Sequence, residues 1–204
     1  MIVRIYVEGG GDHNKALQTE CRKGFSQFLQ RAGLAGRMPR IVACGGRSRA
    51  YASFCTSQDA AGADHFPVLL VDSESPVVEQ NPWEHVKLRE GDQWSQPNGA
   101  SSDQIHFMVQ AMEAWFHADM DAIQRFYGPL FRMAALSQRQ DIENIAKADL
   151  FDGLRRATKD CQKGEYSKGE ISFHVLARID PAKVRTASAH AHRFLTVLER
   201  TCQA

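Results

Sequence analysis

No cysteine pair with CxxC spacing occurs in the 204 residues, and the cysteine count is odd: five, at 21, 44, 55, 161 and 202. That pattern disfavours both a disulfide framework and a thiolate zinc site, and reduced thiols in a cytoplasmic protein are the expectation. No apolar run approaches the ~18 residues of a membrane span, so no membrane association is expected. The N-terminus runs straight into a strand pattern without a charged leader and long apolar stretch, so no signal peptide is expected either. Neither sign of charge dominates, with 25 Lys and Arg against 24 Asp and Glu. Any nucleic-acid contact therefore has to come from a local patch rather than a global basic field. The eight histidines are scattered and HEXXH is absent, which argues against a zinc centre. There is no GxSxG elbow, no GK[ST] behind a glycine run and no GxGxxG spacing, which argues against an α/β-hydrolase, a P-loop and a dinucleotide site.

What is present is an alternation of apolar runs and glycine turns. Residues 1–7 read as a short β-branched strand, and 13–32 as a helix with Leu17, Cys21, Phe25, Phe28 and Leu29 on one stripe. PRIVACGG (39–46) reads as a second strand ending in a glycine turn, and 48–60 as a second helix. HFPVLLVDSES (65–75) is the most strand-like run, with Val68–Val71 continuous as in a strand buried on both faces. Strand, turn, helix, repeated, predicts an α/β fold whose mostly parallel sheet is flanked by helices. Residues 76–103, rich in Pro, Trp, Asn, Gly and Ser, read as an ordered loop excursion, and 104–119 as a short strand and a helix. The expected division is a core over 1–119 and a helical C-terminal extension over 120–204 packed on the same domain, closing with a helix at about 188–202.

Both clear strands end in carboxylates: Glu8 and then Asp12 in VEGGGD, Asp72 and Glu74 in VDSE. In a parallel sheet with right-handed crossovers these tips share one edge, where α/β sheets bind ligands. Clustered carboxylates repel unless a cation neutralises them, and a hard divalent ion with oxygen ligands does so. Two such ions could clamp the attacking and leaving oxygens of a phosphodiester, with Gly9–Gly11 admitting a phosphate close to the backbone. Each acid also has a plainer reading: Asp12 as the N-cap of the following helix, Glu74 as a turn residue before Pro76.

The pair VEGGGD and LLVDSE resembles the two signatures of the Toprim fold, with Glu74 where the DxD-like motif has a second Asp. The spacing of Glu8 and Asp12 is similar to the paired acids of the overcoming-lysogenisation-defect nucleases, a Toprim branch whose further helical acid would match Glu113 in MVQAMEAWF. Over nearly its full length the chain resembles domain-of-unknown-function family 4276, through IYVEGGGD, PRIVACGGR, LLVDSE, GASSDQIHFMVQAMEAWF, ATKDCQKGEYSKGEISFHVLARIDPAKV and the closing helix. The resemblance implies a Toprim-like, Rossmann-like core and a Mg²⁺- or Mn²⁺-dependent nuclease. It also implies work in a bacterial anti-phage defence locus beside an SMC-like or AAA ATPase. On this reading Glu8, Asp72 and Glu74 hold one ion, and Asp12 and Glu113 help a second.

Other residues follow from local composition. Arg47 and Arg49, in CGGRSR at a strand end, could meet phosphate bidentately. Arg155, Arg156, Lys159, Lys163, Tyr166 and Lys168 form a basic stretch with one aromatic, suited to a DNA or RNA backbone, though a solvated helix end gives the same pattern. Lys163 and Lys168 are the candidates for balancing charge on a scissile phosphate. Gln104 and Gln110 are polar neighbours that could orient Glu113, and the three tryptophans read as packing anchors. The competing reading is a non-catalytic adaptor or sensor that uses the same scaffold to bind an ATPase or nucleic acid.

Overall fold

The computed structural model describes residues 1–60, 62 and 64–203. Its centre is a four-stranded sheet in the order β2-β1-β3-β4. The strands are β1 (Ile2–Val7), β2 (Arg40–Ala43), β3 (His65–Asp72) and β4 (Ile105–Met108), and every neighbouring pair is parallel. The fold is thus α/β of Rossmann-like type, as the alternating runs predict. Register follows from the apolar pattern: Val7 lies beside Ala43 on one side and Leu70 on the other, and Asp72 lies beside Met108.

Helices cover both faces. On one face, Val3, Ile5, Val7, Val68 and Leu70 pack under α1 (Lys15–Leu29), whose stripe of Cys21, Phe25, Phe28 and Leu29 is buried. On the other, Tyr6, Leu69 and Val71 meet α2 (Arg47–Asp59) through Ala50 and Phe54. The first helix starts at Lys15 because Asn14 caps it, accepting from the Leu17 amide at 3.0 Å. Asp12 is therefore not the N-cap. Past Leu29 the chain continues in a wide turn to Leu34, broken by Gly33 at φ 93°.

The excursion over 76–103 contains a helix that the composition concealed, α3 (Pro82–Leu88). Asn81 caps it, Pro82 opens it at the position where a missing N–H costs nothing, and Trp83 is buried against Phe54. With Val86 and Trp94 it seals the second face of the sheet.

After β4 come α4 (Glu113–His117), α5 (Met120–Tyr127), α6 (Lys147–Thr158), α7 (Glu170–Leu176), α8 (Pro181–Ala187) and α9 (Ala189–Thr201). One buried apolar cluster runs from Val3 on β1 through Trp115 on α4 to Leu198 on α9, so these helices share the core of the first face. Trp115 stacks on Phe28 at 5.3 Å and on Phe194 at 6.4 Å, joining the first helix to the last. Truncating an aromatic at such a position costs about 3–5 kcal/mol. Among the described residues no helix is long and apolar enough to cross a membrane.

Candidate metal centre

The chain leaves β1 toward β2 and leaves β3 toward β4, so the strand order reverses between the two central strands. A crevice opens there at their carboxyl ends, the place where sheets of this kind bind ligands. Glu8 follows β1 directly: its amide donates to the Leu70 carbonyl at 3.1 Å, and its Oε2 accepts from the Asp72 amide at 3.3 Å. Two residues further, Glu74 sits at φ 69°, a conformation that costs a non-glycine residue energy. Its amide donates to the carbonyl of Gln110, itself at φ 64°. The result is that one carboxylate oxygen from each of Glu8, Asp72 and Glu74 lies within 4.8 Å of the others, an arrangement able to hold a metal ion.

These acids are not left bare. Lys168 Nζ donates to Asp72 Oδ2 at 3.0 Å, and the Met112 amide donates to Asp72 Oδ1 at 2.8 Å. Lys147 Nζ donates to Glu74 Oε2 at 2.5 Å. Arg47 reaches Glu8 Oε2 at 3.5 Å and the Asp72 carbonyl, but its main partner is Asp92, which it grips with two bonds of 2.7 and 2.6 Å. The Arg47 guanidinium also stacks over Trp94, 4.8 Å from the ring centre.

Despite those cations, Glu8 is pushed up to about 7, by its burial and then by the charge of Asp72. Burial alone would lower the Lys168 ammonium, but Asp72 and Glu113 beside it raise it above its usual range. Glu113, the first residue of α4, is fully buried and its carboxyl is raised, by burial and by Asp72. Its Oε1 accepts from the Tyr166 hydroxyl at 2.6 Å, while its Oε2 is buried without a partner among the described residues. The donor set, all carboxylate oxygen with an orphaned oxygen on Glu113 beside it, fits a hard divalent cation.

The cleft around the cluster measures about 400 Å³ and is bounded by Gly9–Gly11, Gly45–Gly46 and Lys168–Gly169. Gly9 and Gly45 exchange two hydrogen bonds of 2.9 Å, locking the two turns together. A Cβ on Gly45, which sits at φ 78°, would fall 2.3 Å from Asp12 Oδ1.

Several residues stand elsewhere than the sequence suggests. Asp12 lies on the rim of the cleft, accepting from the Gly46 amide at 3.0 Å with Arg49 at 3.6 Å, and does not join the group of three. Glu113 is held by Tyr166 rather than set opposite Asp12, so the two do not form a second pair of ligands. Tyr166 is buried, bonded to Glu113 and at 2.7 Å to Ser172, and offers no face to a base. Lys163 sits 5.0 Å over the Phe126 ring, in a separate groove with Tyr127 and Gly128, away from the acids. Arg155, paired with Asp152, Arg156 and Lys159 lie toward the far end of α6. Lys147 opens that helix at the site, and eight residues of helix place Arg155 about 12 Å further along. Gln104 bonds to Gln58 and the Pro67 carbonyl at the other end of the sheet, not to Glu113. Arg49 stays exposed on the rim, 3.2 Å from the His13 ring.

Lys147, Asp92, Trp94, Ser172 and the Met112 amide belong to the site without having been singled out for it. Nothing local marks them, since each reaches the acids or their partners only through tertiary packing.

Fold and site together define a parallel α/β protein with a half-buried acidic cluster at the strand-order reversal. The family described as Domain of unknown function (DUF4276) matches residues 7–199, and the chain belongs to it. Among curated proteins and among solved structures, nothing matches.

Proposed function

We propose that the protein is a divalent-metal-dependent phosphodiester hydrolase, a nuclease of Toprim type. The observation that carries this reading is the convergence of Glu8, Asp72 and Glu74 within 4.8 Å at the reversal point. Glu8, Asp72 and Glu74 would hold Mg²⁺ or Mn²⁺, with Glu113 and its free oxygen behind Asp72. When bound, the ion supplies positive charge against a phosphoryl oxygen and the attacking water.

The chain's own residues supply the rest. Glu8, whose carboxyl is raised to about 7 by burial and by Asp72, would give up its proton to solvent on becoming a ligand. Lys168, on a loop and half exposed, can turn from Asp72 toward the charge that develops on the phosphate. The glycine turns let the phosphate approach backbone N–H groups. Arg47, bound to Asp92, fixes the Glu8 carboxylate and the Asp72 carbonyl rather than the substrate. The wider setting, effector of a defence system alongside an SMC-like or AAA ATPase, belongs to the proposal on family resemblance alone.

One observation favours the rival, a non-catalytic binding subunit. Each acid of the cluster already has an internal cation: Arg47 for Glu8, Lys168 for Asp72 and Lys147 for Glu74. Such a cluster can stand without metal. Calorimetric titration of Mn²⁺ into the wild type and a Glu8→Ala/Asp72→Ala double variant separates the two. The hydrolase reading expects saturable binding that the double variant loses, with matching loss of oligonucleotide cleavage. Binding that is absent or equal in both gives the rival precedence.

A further inference from the structure

We infer that the cleft takes one nucleotide unit, a phosphate with its sugar and base, and therefore acts on single-stranded or free nucleotides in preference to duplex. This rests on the hydrolase reading above and narrows its substrate. Two independent features lead to it.

The first is the composition of the walls. The cleft lining carries the acids, Lys168 and glycine backbone, which is what metal and phosphate require. The same lining also carries Leu17, Met108, Met112 and Phe173, set between these polar groups: Met108 lies beside Asp72 in the sheet, and Leu17 and Phe173 pack against Gly11 and Gly9. A phosphate gains nothing from four apolar side chains, whereas a base has a flat apolar face to bury against them. Methionine is unbranched and polarisable, so such a wall accommodates bases of different shape. The volume of about 400 Å³ lies within the range of small-ligand pockets. The lining is closely packed: a Cβ on Gly10 would stand 2.8 Å from the Gln18 backbone, and one on Gly9 would stand 3.2 Å from the Phe173 ring. A cleft of this volume holds a ligand of nucleotide size and not a helix of paired strands.

The second is the disposition of cations. Duplex binding depends on rows of lysine and arginine contacts to phosphates. Here Arg47, Lys147 and Lys168 are engaged with Asp92, Glu74 and Asp72 inside the site. The basic run at 155–163 lies away from the cleft, and at its mouth Arg49 shares its charge with Asp12. Affinity has to come from inside the cleft, from one phosphate and what it carries. Drawing a base out of a duplex costs a few kcal/mol, a cost that a single strand does not meet.

The test is fluorescence anisotropy on the full chain with a labelled twelve-nucleotide single strand and the blunt duplex of the same sequence, each with Mn²⁺ and with EDTA. The single strand is expected to bind at least tenfold more tightly than the duplex, with adenosine 5′-monophosphate competing and inorganic phosphate at equal concentration not competing. Competition by the mononucleotide stronger than binding of the strand would identify free nucleotides as the source of the ligand. Leu17→Trp, at a half-buried position on α1, narrows the cleft and is expected to weaken single-strand binding at least tenfold while leaving Mn²⁺ affinity and melting temperature in place. Leu17→Ala, which keeps the fold and opens the wall, is expected to weaken it by two- to fivefold. Equal or tighter duplex binding, no binding of either, or indifference to both Leu17 substitutions overturns the inference. A strand preference identical with Mn²⁺ and EDTA counts instead against the hydrolase reading and leaves the nucleotide cleft standing.

Discussion

Asp119, between α4 and α5, and Glu8, just past the carboxyl end of β1, are both carboxylates drawn largely out of solvent, and the chain surrounds them differently. Around Asp119 every oxygen is met: Oδ1 accepts from Lys183 Nζ at 2.7 Å and Oδ2 from the Asp180 amide at 2.9 Å. Burial alone would raise its carboxyl, but the Lys183 and Asp180 bonds outweigh that and hold it below the usual range. Around Glu8 the nearest cation is 3.5 Å away and committed to Asp92, while Asp72 adds a like charge, and the carboxyl rises to about 7. The first arrangement ties α8 to the turn before α5 and asks nothing further. The second is incomplete as it stands, and incompleteness in a cleft is what distinguishes a binding group from a structural one.

The comparison breaks first at Asp72. Asp72→Asn keeps the shape and the Met112 contact but removes the charge shared with Lys168 and Glu8. It is expected to lower Mn²⁺ affinity and cleavage by about a hundredfold or more, the usual scale for losing an essential metal-site group, while Asp119→Asn leaves both unchanged. Calorimetry and a gel-based cleavage assay on the two variants decide it.

The next effect runs the other way. Asp119→Asn should destabilise by about 2 kcal/mol, because the charge-assisted hydrogen bond to Lys183 is lost from a buried carboxylate and only the longer pair with Asp121 remains. The sign with pH follows from the lowered carboxyl: its contribution is full above the ordinary value of 3.8 and fades as pH falls through the folded value. Urea melts at pH 7 and pH 3 should show the deficit shrinking at the lower pH.

Glu8→Gln sharpens the contrast. A carboxyl raised from 4.5 to about 7 favours the folded state below 4.5, and that advantage is lost as pH rises through 7. In EDTA at pH 8 the glutamine variant should therefore be more stable than wild type, by roughly 2 kcal/mol. With metal the order reverses, since the wild type gains more from binding than the variant does. The same proton makes wild-type Mn²⁺ affinity fall about tenfold per pH unit below 7, a slope that Glu8→Gln abolishes. Lys147→Met is the smallest: its pair with Glu74 is partly exposed, so less than about 1 kcal/mol of stability goes with it. Mn²⁺ affinity should rise a few-fold as the competing ammonium leaves Glu74, which the same titration reads.

How much of this was legible in the sequence depends on range. β1 and β3 are readable because continuous apolar runs end in acids, and Glu8, Asp72 and Glu74 meet because a parallel sheet brings successive strand tips to one edge. The seven residues of α3 are too few to show a periodic stripe, and their Pro and Asn read as loop although they are an N1 residue and a cap. Tyr166 lay among lysines and looked like a stacking platform, but its hydroxyl partner Glu113 is 53 positions earlier and invisible from the local run. Asp12 and Asn14 are both good cap residues two positions apart, and only the conformation of the glycine turn selects Asn14. Lys147 and Asp92 carry no local mark at all, because what places them at the cleft is how α6 and the 76–103 excursion pack.

The paired turns of Gly9 and Gly45 have a consequence for how this protein can change. Where side chains shape a cleft, substitutions can remodel it gradually. Here two reciprocal main-chain bonds set one wall, and a Cβ on Gly45 would collide with Asp12. The wall offers no side chain to vary, so diversification of specificity has to proceed through Leu17, Met108, Met112 and Phe173, which line the same cleft. In a saturation library scored for folding, positions 10 and 45 should stand out as intolerant while position 17 accepts most apolar replacements.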